Sequence, residues 1–308
     1  MGNISYDVII PIAAKDISFL SYVIKYIRKN LIDAKSIYII TNKKNFKNRV
    51  FKKIDDCELT LLDENDLIEG LTFTRVKELL VSRGWYNSPG WYMQQFLKMG
   101  FAQTKYARNY YLSWDSDTLP LSKIQFFEGN HPVFTIKTEN HKAYFETIKN
   151  LLGLEVNRDF SYIAEHMMFD TKIMNEMLTN INNTSFDGIT WFEKIISSCN
   201  FNSIFPGPHF SEFETYGEYC AVYYPNLYKH QELATFRGAG CIRGRHPNKD
   251  ILDRLSFDLD TASFELYDKP LFPYSIPYYI LITKDKMSKI RRMPLSEIMS
   301  VIRKKIFK

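Results

Sequence analysis

The chain carries the stretch NYYLSWDSDTLP at residues 109–120, an aromatic run that stops at two aspartates one residue apart. Residues 109–114 predict a buried strand, because a strand covered on both faces is almost continuously apolar. Asp115 and Asp117 follow this strand directly and can place their oxygens on one Mg²⁺ or Mn²⁺ ion. Such a cation would offset the negative charge of a departing diphosphate.

The segments before this stretch alternate strand-like and helix-like patterns. Residues 6–12 and 36–41 predict buried strands, residues 57–62 a third, and apolar residues recur at helical spacing over 17–31 and 91–105. This order predicts an α/β fold with a mostly parallel sheet flanked by helices. Ligands of such sheets bind beyond the carboxyl ends of the strands. The residues after the first strand and after Trp114 should therefore line one cleft.

The second half predicts a mixed arrangement that ends in a helix. Strands are expected at 131–138 and 164–170, and helices at 142–152, 172–181, 186–198 and 211–223. Residues 233–245 contain three glycines and predict a strand that passes into a flexible loop. We expect one domain at 1–283, with halves meeting near residue 120, and a basic amphipathic tail at 284–308.

Composition narrows the class of protein. The 308 residues are 45% hydrophobic and 15% aromatic, which is ample for a large core. The four cysteines form no C-x-x-C pair, so reduced thiols are expected. The first residues lack a signal peptide, and no apolar run approaches the roughly 20 residues of a membrane span. A cytoplasmic protein is expected, and the net charge of +5 without a nucleic-acid motif favours an anionic small substrate or membrane surface over nucleic acid.

At these residues the chain resembles the GT-A class of nucleotide-sugar glycosyltransferases. The resemblance rests on the W-D-S-D-T motif at 114–118, the V-I-I-P-I strand at 8–12 and the Q-Q-x-x-K helix segment at 94–98. They look like one uncharacterised bacterial group of that class, over about residues 4–245. The resemblance implies a Rossmann-like nucleotide-sugar-binding half, an acceptor-binding half, a Mn²⁺ or Mg²⁺ cofactor and a nucleotide-sugar donor, UDP-sugars first. The acceptor would be a carbohydrate or lipid-linked glycan, in surface polysaccharide synthesis.

The expected donor site combines metal ligands with contacts to the nucleotide sugar. Asp115 and Asp117 are the metal ligands, and His246 is the third, as a late histidine is in some GT-A enzymes; an ordinary surface or core histidine is the alternative. The expected contacts to the nucleotide sugar are Ala13, Lys15, Asp16, Gln95, Lys98, Trp114, Ser116, Arg243 and Arg245. For Lys98, a solvated helix face is an equal alternative. The loop at 237–245 could close over the diphosphate through its arginines.

Glu212 is the candidate catalytic base. An inverting transferase needs a carboxylate to take the proton of the acceptor hydroxyl, whereas a retaining one does not. Ser211 and Glu214 predict a capping box, which makes Glu214 structural and puts Glu212 in the first helical turn. The expected acceptor contacts are Glu165, His166 and Asp170. Glu165 and Asp170 are also alternative bases.

Other interpretations stay open. The tail at 288–308 mixes apolar and basic residues, so it can lie on an anionic membrane surface at the inner face of the cell membrane or pack on the domain. A sugar nucleotidyltransferase would use similar acidic ligands, although residues 11–15 lack its glycine-rich basic loop. A non-catalytic carbohydrate-binding or scaffold protein on the same fold would tolerate loss of the aspartate pair.

Overall fold

A computed structural model describes residues 4–54, 58–156, 158–205, 207–245, 247–276, 279–280, 282–284 and 287. The strands are β1 (Tyr6–Pro11), β2 (Ala34–Thr41), β3 (Leu59–Asp63), β4 (Tyr110–Trp114), β5 (Thr118–Pro120), β6 (Phe127–Glu128), β7 (His131–Thr135), β8 (His166–Asp170), β9 (Lys229–Gln231), β10 (Thr235–Phe236) and β11 (Thr261–Ser263). The α-helices are α1 (Leu20–Asn30), α2 (Arg49–Lys53), α3 (Phe73–Ser82), α4 (Pro89–Gly100), α5 (Lys142–Leu152), α6 (Thr171–Asn182), α7 (Trp191–Ser198), α8 (Glu212–Tyr223), α9 (Gly240–Arg243) and α10 (Lys249–Leu255).

The central sheet has the strand order β3-β2-β1-β4-β8. Strand β1 runs parallel to both β2 and β4, and β2 runs parallel to β3, whereas β8 is antiparallel to β4. The predicted α/β fold with a mostly parallel sheet is confirmed. The strand order reverses between β1 and β4, which is the point where open α/β sheets bind ligands beyond their carboxyl ends.

The apolar run of β1 is buried along its whole length because helices cover both faces of the sheet. Successive side chains of a strand point to opposite faces. Val8 accordingly packs into a cluster with Ile27 of α1, and Ile9 packs into a second cluster with Phe96 of α4. Helix α4 thus lies beneath the sheet, and its last turn lies next to the strands whose ends line the cleft.

A smaller sheet attaches the C-terminal region to the residues after Asp117. Strand β5 pairs antiparallel with β11, which pairs parallel with β10. The segment at 233–245 was expected to be a strand and a flexible loop, but it forms the short strand β10 and then the one-turn helix α9. The predicted strand is therefore confirmed over two residues, and the glycine-rich part that was expected to be a loop contains one turn of helix.

Other element predictions hold with shifted ends. The helix expected at 186–198 begins only at Trp191, where the Glu193 carboxylate accepts from the N–H groups of Ile189 and Thr190. Helix α3 was not predicted from the sequence. Within the part of the chain that the structure describes, no helix has the length and apolarity needed to cross a bilayer. The basic tail at 288–308 lies outside the described residues.

Candidate active site

The aspartate loop is fixed by bonds from three directions. The backbone N–H of Asp115 donates to the carbonyl of Glu165 at 2.9 Å, and the carbonyl of Asp117 accepts from the N–H of Phe264 at 2.8 Å. The indole N–H of Trp114 donates to the carbonyl of Thr118 at 2.9 Å. Both aspartates are thereby held at the carboxyl end of β4, on the side where β1 also ends.

Lys98 lies between two carboxylates. Its Nζ is 2.9 Å from Oδ1 of Asp115 and 2.8 Å from Oε1 of Glu212, and it sits 4.2 Å from the ring centroid of Phe213. Burial by itself lowers the pKa of Lys98, but Asp115 and Glu212 raise it above its usual range, so the ammonium is charged. The side chain is only 3% exposed, which makes the solvated-face interpretation wrong.

Glu212 is the first residue of α8, and its side chain is buried against Lys98. Ser211 caps the helix by accepting from the N–H of Glu214, and the side-chain oxygen of Gln95 accepts from the N–H of Glu212 at 3.1 Å. Burial raises the pKa of Glu212 while Lys98 lowers it. A general base must come within hydrogen-bond reach of the hydroxyl that it deprotonates. The Glu212 side chain is 2% exposed and paired, so its position does not match the expected base.

The capping box predicted for Ser211 and Glu214 forms only in half. Ser211 accepts from the N–H of Glu214 at 3.3 Å, but the Glu214 carboxylate instead accepts from the N–H of Tyr162 at 2.8 Å and pairs with Arg158. Glu214 therefore joins α8 to the chain before β8. Its role is structural, as expected, through different partners.

Asp117 lies among several other carboxylates. Burial and the neighbouring carboxylates of Asp115, Asp16 and Glu265 raise the pKa of Asp117 to about 7, and Arg245 opposes the shift. A divalent cation with hard oxygen ligands suits this donor set, since such ions commonly keep phosphate oxygens as further ligands. Among the described residues, no group of three or more His, Cys, Asp or Glu side chains is arranged as a metal site. His246 lies outside those residues.

Arg245 is a buried clamp rather than a mobile phosphate ligand. Its Nη2 lies 2.8 Å from Oδ1 of Asp16, and the two side chains are 6% and 10% exposed. It also donates to the carbonyls of Phe264 at 3.0 Å and Lys15 at 3.4 Å. With these contacts Arg245 and Asp16 hold backbone in place, contrary to the expectation of direct phosphate contacts.

The remaining donor residues divide by exposure. Ala13 and Lys15 are exposed in the turn after β1, where the cleft was expected. Gln95 and Ser116 are buried, and Ser116 lies between the two aspartates. Arg243 lies 4.4 Å from the ring centroid of Tyr274 on the one-turn helix α9.

Trp114 and His166 form a stacked pair inside the fold. Their ring centroids are 4.8 Å apart with an interplanar angle of 11°, and neither residue is more than 1% exposed. The Nε2 of His166 is 2.8 Å from Oγ1 of Thr135, and burial lowers the pKa of His166 to about 4. Both rings are covered in this conformation, and the contacts of Trp114 with the donor and of His166 with the acceptor stay predictions.

The direction of β8 separates Glu165 from Asp170. Since β8 runs antiparallel to β4, Glu165 lies next to Asp115 while Asp170 pairs opposite Tyr110 at the far end of β4. Five residues of strand span about 16 Å. Asp170 instead caps α6 by accepting from the N–H of Lys172 at 2.8 Å. The structure therefore does not bring Asp170 together with the aspartate pair, and its acceptor or base role stays a prediction.

Glu165 stays at the cleft and has cationic partners. Arg237 donates from Nε to Glu165 Oε1 at 2.5 Å and also pairs with Glu139. Burial raises the pKa of Glu165, but Arg237 outweighs it and leaves the pKa below its usual range. Glu165 is thus a carboxylate beside Asp115.

Sequence reasoning missed Arg237 and Glu265. Arg237 begins the segment at 237–245, in which the predicted contacts to the nucleotide sugar are Arg243 and Arg245. Glu265 follows β11, and its carboxylate interacts electrostatically with Asp115 and Asp117. No local pattern identifies Glu265, because only the pairing of β11 with β5 brings it to the aspartate loop.

Comparisons place the chain beside a family and beside known transferases. The model of the family of unknown function DUF6492 matches residues 7–257. No curated protein matches the chain. Similar solved structures include mouse xyloside xylosyltransferase 1 in its apo form, with 8% identity over 87% of this chain and 99% of that chain, at a TM-score of 0.43. Another is galactosyltransferase LgtC in complex with donor and acceptor sugar analogs, with 10% identity over 90% and 95% of the two chains, at a TM-score of 0.43.

Proposed function

The chain belongs to the family of unknown function DUF6492, and from its own site we propose that it transfers a sugar from a nucleotide sugar to a carbohydrate or lipid-linked acceptor. UDP-sugars are the first donors to test, with Mn²⁺ or Mg²⁺ as cofactor. Surface polysaccharide synthesis is the proposed setting.

One observation carries the proposal. Asp115 and Asp117 stand at the carboxyl end of β4, next to the end of β1, at the point where the strand order reverses. Burial and the neighbouring carboxylates raise the pKa of Asp117 to about 7, and the carboxylates gathered there favour a cationic ligand. A cation bound to these aspartates would supply Lewis-acid help to the departure of the nucleoside diphosphate.

The protein's own residues prepare that chemistry. Lys98 holds the Asp115 carboxylate, and Glu212 holds Lys98, so we assign Glu212 a positioning role. Lys15 and Ala13 are exposed on the β1 side of the aspartates and are proposed to meet the nucleoside. On the β8 side, we propose Glu165 for contact with the acceptor, in a direction fixed by its bond from Arg237. Preorganised charges of this kind cost no rearrangement during the reaction.

The test measures ligand-induced thermal stabilisation. A ligand that binds only the folded state raises the melting temperature, so UDP-, GDP- and CMP-sugars are screened with Mn²⁺ and with EDTA. At least one should stabilise the chain only when Mn²⁺ is present. The double variant D115N/D117N should lose that response, while D187N/D250N, which changes two exposed aspartates elsewhere, should keep it. Sugar transfer by D115N/D117N at the wild-type rate in EDTA would sink the proposal.

A further inference from the structure

Residues 265–268 form a tight turn that is tied to the aspartate loop. Phe264, just before it, donates its N–H to the carbonyl of Asp117 at 2.8 Å. Within the turn, Oδ2 of Asp268 accepts from the N–H of Glu265 at 3.0 Å and from the N–H of Gly240 at 3.1 Å. These bonds fix the turn, and Tyr267 near its tip is 51% exposed.

Arg245 joins this turn to the one that follows β1. The same buried guanidinium donates to the carbonyl of Phe264 and to the carbonyl of Lys15, and pairs with Asp16. The two turns are therefore held in one relative position. Nζ of Lys15 lies over the ring of Tyr267, 5.1 Å from its centroid, which is a cation–π contact.

The two sides of the aspartates differ in their neighbours. Towards β8, Arg237 engages Glu165 and Glu139 in ion pairs beside Asp115. Towards β1, the neighbouring strand about 4.8 Å away ends in the exposed turn that carries Lys15. A nucleoside diphosphate with its phosphates at the aspartates would extend along the β1 side and bring its base to Tyr267.

We propose that Tyr267 is the stacking platform for the base of the nucleoside diphosphate, with Lys15 beside it. The inference rests on the proposed function and deepens it. An aromatic ring stacks with any base, because every base presents a π-face. Tyr267 would therefore contribute affinity for the nucleoside, whereas the aspartates contribute affinity for the diphosphate.

Calorimetric titration with UDP and with pyrophosphate, both with Mn²⁺, tests the proposal. GDP and CMP are titrated beside UDP, and the tightest nucleotide is used for the variants. Loss of stacking weakens binding by about 5-fold to 150-fold, so Y267A and Y267L should lose that much nucleotide affinity. Both should bind Mn²⁺–pyrophosphate like the wild type, since pyrophosphate has no base. Y267F keeps the ring and should keep nucleotide affinity.

The matched control is Y223A. Tyr223 is 53% exposed and ends the helix that begins at Glu212, about 16 Å away along the axis. It should bind nucleotide and pyrophosphate like the wild type. Wild-type nucleotide affinity in Y267A and Y267L, or equal losses of affinity for nucleotide and for pyrophosphate, would overturn the role of Tyr267 without affecting the proposed function. A wild-type chain that binds none of the three nucleotides would overturn the proposed function and the platform with it.

Discussion

Replacing Lys98 by methionine removes an ammonium from between two carboxylates and keeps an unbranched side chain. Glu212 is 2% exposed, so it would be left as a buried carboxylate without a cation. Breaking a buried ion pair in this way costs about 3–5 kcal/mol. Asp115 is 29% exposed, and water screens its contribution. We expect K98M to lose about 3–5 kcal/mol of unfolding free energy at pH 8.

The loss should depend on pH in one direction. Burial already raises the pKa of Glu212, and Lys98 is the first group that opposes the shift, so the pKa rises further in K98M. When a carboxyl binds its proton more tightly in the folded state, the protein loses unfolding free energy as pH rises through the folded-state pKa and regains it as pH falls. The deficit of K98M should therefore be largest at pH 8 and smaller at pH 5.

Urea unfolding of wild type, K98M, E212Q and K98M/E212Q at both pH values measures these terms as a double-mutant cycle. The double variant should recover much of the deficit, because it has no buried charge at position 212. K25M changes an exposed lysine of α1 and should stay within about 0.5 kcal/mol of wild type. A K98M deficit below about 1 kcal/mol, or one equal at both pH values, would refute the reasoning.

Other perturbations test the neighbouring groups. In EDTA, ionised Asp117 opposes folding as pH rises towards 7, so D117N should be more stable than wild type at pH 8, by at most about 4 kcal/mol in urea unfolding; a less stable D117N would contradict this. If Glu212 only positions Lys98, E212Q should lower kcat yet keep the shape of the pH–rate profile, and loss of one limb would restore Glu212 as the base. The segment at 284–308 has nine basic and two acidic residues, and Leu271 and Phe272 before it are 79% and 80% exposed. The full chain should therefore float with anionic liposomes while a chain ending at Lys284 should not, and equal absence of flotation would end the membrane idea.

Local patterns predicted the elements well because their causes are local. The apolar spacing of 142–152 matches α5 at both ends, and Ser211 caps α8 as its sequence indicates. The place of Asp115 and Asp117 was also predictable, since an apolar strand that stops at two acids fixes them at a sheet edge. These predictions required only the order of strands and helices.

Strand direction and long-range burial were not predictable in the same way. A strand that is buried on both faces reads as a continuous apolar run whichever way it runs beside its neighbour, so nothing in 164–170 distinguished the end with Glu165 from the end with Asp170. Arg245 contacts the backbone of Lys15 across 230 residues of sequence, and no local pattern reveals such a partner. A basic, glycine-rich segment therefore suggested a phosphate loop where the fold uses an arginine as a clamp.

The bonds to the aspartate loop explain why two carboxylates can stay together before any ligand binds. Burial is the largest cause of the raised pKa of Asp117, and the like charges of the neighbouring carboxylates add to it. A mobile loop would relieve that repulsion by moving the carboxylates apart. The bonds of Asp117 with Phe264, and of Asp115 with Lys98 and Glu165, prevent that movement. The repulsion therefore lowers the free energy of unfolding, and a cation that binds both carboxylates removes it. A variant that removes one of these bonds should therefore gain unfolding free energy in the absence of metal, from relief of the repulsion, only if it also binds the cation more weakly.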